Sequence, residues 1–325
     1  MSTKSSPTTQ SSMVKETEEE SSTLLQQTEK KVSQAFTILW NDLPHWMRDN
    51  HYILSGYRQP SNSYTGSISS IFSLHNESVN IWTHLLGSLV AFLTASILYF
   101  TVLPRLPLAT SEDVVVLGCY FFGAVVCLGM SATFHTISNH SEAVQKFGNR
   151  LDYIGIVVLI WGSFVPSIYY GFSAEPALVR VYWSMITTIG AGTLVVVLYP
   201  KFRTPEWRPV RALMFVLMGL SAVIPVIHGV SKYGYAEMEN RMGLSYAIGQ
   251  GVLYIVGAAI YAGRVPERFN PGAFDIWGSS HQIFHVLVVM AAVTHFVGLT
   301  KAFDNEHSAR TLAGFVEAKG LLPWS

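Results

Sequence analysis

Residues 274–296 read "FDIWGSSHQIFHVLVVMAAVTHF", and this stretch decides the fold. From Ile283 onward it is almost wholly apolar, and with its flanks it is long enough to cross a hydrocarbon layer, which takes about 20 helical residues. Yet His281 and His285 stand at its mouth, four residues apart, where a titratable group is costly and therefore informative.

The rest of the chain repeats the apolar pattern. Half of the 325 residues are hydrophobic and 13% are charged, against about 25% charged in a soluble domain. Runs of spanning length cover 81–103, 114–137, 151–172, 177–199, 210–230, 243–262 and 278–300. The sixth is the weakest, because it carries Gln250 and several glycines; small residues there suit close helix packing in lipid. The sequence therefore predicts an all-α, multi-pass membrane protein with a seven-helix bundle at 81–302.

Basic residues orient it. The loops on the N-terminal side hold Lys146, Arg150, Lys201, Arg203, Arg208, Arg211, Arg264 and Arg268; the opposite loops hold Arg105, Arg180, Lys232 and Arg241. That excess predicts a cytosolic N-terminus and an outer C-terminus, in the plasma membrane or the endoplasmic reticulum. The polar start predicts no cleavable signal peptide. "NES" at Asn76 and "NHS" at Asn139 then face the cytosol and are expected to stay unglycosylated.

Residues 1–33, rich in Ser, Thr, Gln and Glu, are expected to be a disordered cytosolic tail. Residues 34–80 are expected as a cytosolic juxtamembrane amphipathic segment. Within it, residues 35–58 mix Trp40, Trp46, Tyr52 and Tyr57 with Asp42, Arg48, Asp49 and Arg58, which suggests a short helix lying on the cytosolic face, a loop plugging the bundle being the alternative. Residues 303–325 are expected as an outer tail. With 21 basic and 21 acidic residues and no basic stripe, no nucleic-acid partner is expected. Cys119 and Cys127, eight apart in one apolar run, cannot bridge each other and read as small buried hydrophobes. Pro166 and Pro225 interrupt the third and fifth spans, either opening a cavity or serving packing.

Topology gathers the titratable residues. Ser131 and His135 end the inward-running second span, Asp152 begins the outward-running third, and His281 and His285 begin the seventh. All five fall at one membrane depth. Histidines at i and i+4 share a helix face and can reach one metal ion. His135 completes a three-histidine set with an open fourth position, the arrangement of a catalytic zinc site. Ser131, one turn before His135, faces the same cluster. Gln282 occupies the place of the glutamate in the zinc-protease pattern H-E-x-x-H, so a base must come from elsewhere. Asp152 is placed to be that base, a fourth ligand, or the holder of a water beside the metal. Blander readings stand next to these: Asp152 as a helix cap, Ser131 as a packing residue, and His84, His228 and His295 as hydrogen-bonded packing residues.

"FSLHNESVNIWTH" (72–84), "SATFH" (131–135), "LDYIGI" (151–156), "EWRPVRA" (206–212) and "RVPERFNPGAFDIWGSSHQIFH" (264–285) together resemble the progestin and adipoQ receptor family. That family includes adiponectin receptors and hemolysin III-type proteins, and the details are most similar to its fungal Izh zinc-homeostasis, osmotin-receptor-like branch. The resemblance covers about residues 38–300. It implies a seven-helix bundle with the N-terminus inside and Zn2+ held by His135, His281 and His285. It further implies Asp152 reaching the metal through water, with Ser131 beside it. The association of adiponectin receptors with ceramide hydrolysis implies a zinc-dependent amidohydrolase acting on ceramide-like membrane lipids, with Asp152 and Ser131 as catalytic residues. The alternative is a non-enzymatic receptor or sensor in sterol and zinc homeostasis, with structural zinc and an extracellular protein ligand as its expected partner. A zinc transporter is disfavoured, because no second ligand set leads to the outer face.

Overall fold

The computed structural model describes residues 37–203 and 207–318. The tail expected at 1–33 and the last seven residues lie outside this range. Seven helical spans are present: Ser78–Arg105, Ser111–Ile137, Glu142–Gly171, Pro176–Leu198, Val210–Tyr233, Leu244–Gly263 and Ser280–Ser308. Each contains or overlaps one of the seven apolar runs. The sixth has the lowest mean hydropathy, 1.4, as its glycines and Gln250 foretold. The chain is an integral multi-pass membrane protein, because helices of this length and polarity satisfy their own backbone groups where water is absent.

The second and third spans pack backbone against backbone. A Cβ at Gly162 would meet the Cys119 carbonyl oxygen at 2.5 Å, and one at Gly155 would meet Cys127 Cα at 2.8 Å. Only residues without a side chain permit this approach. Both cysteines are free, and Cys127 is buried, as expected of small interior residues. The second span starts on a reciprocal cap, Thr110 with Asp113, which sets the register that delivers Ser131 and His135 at its far end.

The two prolines behave differently. The third span runs unbroken through Pro166, and carbonyls beside it are bonded by neighbours: His295 Nε2 reaches Ser163 O at 3.2 Å and Trp183 Nε1 donates to Val165 O at 3.1 Å. The fifth span divides into Arg208–Leu220 and Val223–Tyr233, with the break at Ser221 and Ala222 just ahead of Pro225. A proline there cannot donate to the ladder, and the turn before it opens.

Residues 37–58 form no α-helix, and the α-helix of the juxtamembrane segment is Tyr64–Ser69, capped by Ser63. Two short antiparallel strands, β1 (Thr37–Ile38) and β2 (Tyr57–Arg58), pair with Thr37 opposite Arg58. Between them lie 3-10 turns at Trp40–Asp42 and His45–Met47. Pro44 interrupts any longer helix, and Leu43, Ile53 and Tyr57 close a small core of their own with Ile38, Trp40 and Met47. The segment is a plug fastened to the loop before the seventh span: Leu54 N and Ser55 Oγ donate to Asp275 at 2.8 and 2.6 Å, and Asn50 Nδ2 donates to Glu267 at 3.0 Å.

The seventh helix also departs from expectation. It continues to Ala318, through the start of the stretch expected as a tail from 303. Its extension is anchored: Ala302 and Phe303 pack with Val116, Val165 and Tyr170, and His307 pairs with the buried Asp113 at 3.1 Å.

Candidate metal centre

At the plugged end of the bundle the second and seventh spans bring three imidazoles together. Ring centroids lie 5.0 Å apart for His135 and His281, 4.7 Å for His135 and His285, and 4.8 Å for His281 and His285. One ligand nitrogen from each lies within 4.8 Å of the others. His135 and His285 are buried and His281 is half-buried, so the cluster is sealed from the bundle interior outward and approachable near His281. Tyr261 of the sixth span packs on that histidine, centroid to centroid at 4.8 Å.

The first span supplies the support. Glu77 Oε2 lies 2.7 Å from His135 Nδ1 and also accepts from Asn80 Nδ2 at 2.7 Å. The Asn80 carbonyl faces His285 Nδ1 at 3.2 Å. Both rings thus spend Nδ1–H on an oxygen, leaving Nε2 as the nitrogen with a free lone pair. His135 Nε2 is buried and has no protein partner. Neutral imidazoles oriented from behind by a carboxylate and a carbonyl are the donor set of a metal site, so these residues fit a divalent cation that prefers nitrogen ligands. His84 is a member of this support, not a bystander: it stacks on His285 at 3.8 Å and 16°, and its Nε2 reaches the His285 carbonyl at 3.3 Å.

Asp152 and Ser131 are at the same end. Asp152 lies within electrostatic reach of Ser131, His135 and Glu77. All five residues singled out from the sequence therefore come together: three as the cluster and two as a pair beside it. His228 and His295 do not join them. His228 Nδ1 meets the Tyr182 hydroxyl, and His295 serves the carbonyl near Pro166, so both are hydrogen-bonded packing residues.

The cluster is held by capping groups that sequence reasoning passed over. Arg58, buried, sends its guanidinium to the His135 and Thr136 carbonyls and to Ser138 and Ser70. It closes the end of the helix that carries His135, where a cation also meets the negative pole of the dipole. Burial lowers its pKa to about 10, with Glu77 opposing, so it remains charged near neutrality. Glu267, fully buried, accepts from Ser280 N at 2.8 Å and from Ser280 Oγ, capping the seventh helix one residue before His281. Gln282 stands where a zinc protease has its base, and is a staple: its Nε2 donates to Asn76 O and Ile276 O, and its Oε1 accepts from Gly278 N. Asn139 is buried and bonded to Ser67 and the Gln59 carbonyl, which makes it a structural asparagine. Glu77 was the detectable omission. It precedes the first apolar run, at the same end as His135, and lies two helical turns from His84 on one face.

A seven-helix membrane protein with a three-histidine cluster at one end of the bundle is the class so defined. The chain belongs to the progestin and adipoQ receptor family: residues 72–296 match the family described as Haemolysin-III related. It is 44% identical over 281 residues to the Adiponectin receptor protein of Drosophila melanogaster, covering 85% of this chain and 63% of that protein. It is 41% identical over 268 residues to the ADIPOR-like receptor IZH2 of Saccharomyces cerevisiae, covering 82% and 84%. Heptahelical transmembrane protein 1 of Arabidopsis thaliana is 36% identical over 267 residues, covering 81% and 80%. The chain thus spans less than two thirds of the fly relative's length.

Proposed function

We propose that the chain is a zinc-dependent amidohydrolase acting on ceramide-like lipid amides. The observation that supports this reading is a cluster of three imidazoles, two of them braced from behind by Glu77 and the Asn80 carbonyl, with Asp152 and Ser131 beside it at one end of a lipid-embedded bundle. His135, His281 and His285 would hold the ion, leaving the open position that separates catalytic from structural zinc. Zinc at such a site polarises a carbonyl and lowers the pKa of bound water toward about 7. Asp152 takes a proton from the attacking water and delivers it to the amide nitrogen as the carbon–nitrogen bond breaks, releasing a fatty acid and an amine. Ser131 donates a hydrogen bond toward the oxygen on which charge develops. The eight-to-four excess of basic residues supports a cytosolic position for this end, at the headgroup depth where a lipid amide lies.

The test is ceramide turnover by purified protein, with and without a chelator. Loss of turnover on chelation and in Asp152→Ala, restored by added zinc in the native chain alone, supports the mechanism; undiminished turnover in Asp152→Ala and His281→Ala overturns it.

A second reading is favoured by one observation. Gln282 is wholly engaged as a staple, and the histidines come from two spans and are braced by a third. Zinc in that case ties helices together in a receptor or sensor, the word its relatives carry in their names. Chelation would then lower the melting temperature of a protein with no detectable lipid turnover.

A further inference from the structure

Two polar groups of the sixth span stand unmet inside the bundle. Gln250 Oε1 and Tyr254 OH are buried and have no hydrogen-bond partner in the protein. They are one turn apart, and Tyr261, which packs on His281, lies on the same face two turns further along. Tyr254 is directed inward, within electrostatic reach of Tyr120 and Cys127 of the second span. An unpaired polar atom in hydrocarbon surroundings is expensive, so a membrane helix retains one where something else supplies the partner.

Its depth follows from two helices separately. Tyr254 is seven residues from Tyr261, about 10 Å of helix; Cys127 is eight residues from His135, about 12 Å. Both count from the histidine cluster and agree. A carboxamide oxygen accepts, and a phenol both donates and accepts, so the complementary group is a neutral alcohol. A buried charged group needs an opposite charge beside it, whereas the groups near Tyr254 are the Tyr120 phenol and the Cys127 thiol.

Resting on the lipid-amide reading above, we propose that Gln250 and Tyr254 form a second polar subsite. It recognises a hydroxyl carried part-way along the hydrocarbon chain of a lipid whose amide lies at the histidine cluster. The site would thus select mid-chain-hydroxylated acyl amides over plain ones.

The experiment measures binding of two ceramides to the purified, zinc-loaded full chain in lipid nanodiscs. One carries a stearoyl chain, the other the same chain hydroxylated near its middle. The hydroxylated lipid binds about tenfold tighter, the scale of one well-placed hydrogen bond. In Gln250→Leu/Tyr254→Phe the two bind equally, with the affinity for the plain lipid retained. Equal affinities in the native chain overturn the proposal without recourse to any variant, and so does a preference that survives the double substitution. A large fall in melting temperature of the double variant also overturns it, because the pair would then be part of the protein's own packing. Binding is read without turnover, so discrimination with no hydrolysis refutes the catalytic reading alone, and hydrolysis with no discrimination refutes this subsite alone.

Discussion

Glu77 Oε2 and His135 Nδ1 lie 2.7 Å apart although 58 residues separate them in sequence. The contact joins the start of the first span to the end of the second and chooses the tautomer of His135. Removing the carboxylate's charge while keeping its shape weakens that choice. Under the zinc reading proposed above, Glu77→Gln lowers zinc affinity about 10- to 100-fold, read by competition with a chromophoric chelator. Affinity equal to the native chain's would refute the bracing role.

The close approach of the second and third spans predicts a sharp positional contrast. Gly162→Leu drives a side chain into the Cys119 carbonyl and should destabilise by about 1–3 kcal/mol or more. Gly118→Ala, at a glycine whose added Cβ meets nothing within 4 Å, should leave the melting temperature unmoved. Equal behaviour of the two variants would contradict the packing described.

Arg58 caps several groups at once, and its planar fork is what allows this. Arg58→Met leaves buried carbonyls unpaired, at about 1–3 kcal/mol for each group. Arg58→Lys should recover little of the loss, since an ammonium on a flexible stem cannot match the geometry. Thermal unfolding of the three proteins, native and variants, provides the comparison.

The imidazole of His75 predicts a pH dependence. Burial, and then the Arg58 charge, lower its pKa to about 3, and its Nδ1 accepts from the Glu77 amide at 3.1 Å. The unfolded imidazole takes up a proton below about 6.5, while the folded one stays neutral. Stability from this group is thus present above about pH 6.5 and declines as pH falls toward 3. His75→Asn, which keeps a short acceptor, should flatten the fall in melting temperature between those limits. An unchanged slope would assign the dependence to other groups.

Metal removal gives the last prediction. Three nitrogens from two spans converge on one point, so a zinc ion held there, as proposed above, would add its binding free energy to folding. Chelation should lower the melting temperature of the native chain and have little effect on His135→Ala/His281→Ala.

Much of this was legible beforehand because lipid imposes a one-dimensional rule. Length and polarity located all seven spans, and their alternation placed Ser131, His135, Asp152, His281 and His285 at one end. At 37–58 the structure takes the plugging-loop alternative and not the short surface helix, since Trp40 packs on Tyr57 and Leu54 and Ser55 bond to Asp275, more than 200 residues away. The bracing of His135 and His285 was missed because Glu77, Asn80 and His84 act across helices, where hydropathy carries no information. The seventh helix was cut short in the same way: its extension beyond 303 is secured by Asp113 and Phe303's neighbours, not by apolar length.

Sequence alone determined that this chain crosses the membrane seven times and which end collects its titratable residues, because each span is an independent transfer into hydrocarbon. Only the folded bundle decided which ring nitrogens are free, what holds them, and which polar groups remain unmet. Those properties belong to contacts between helices, and the physical reason is that a hydrogen bond depends on ångströms and angles that no residue carries by itself.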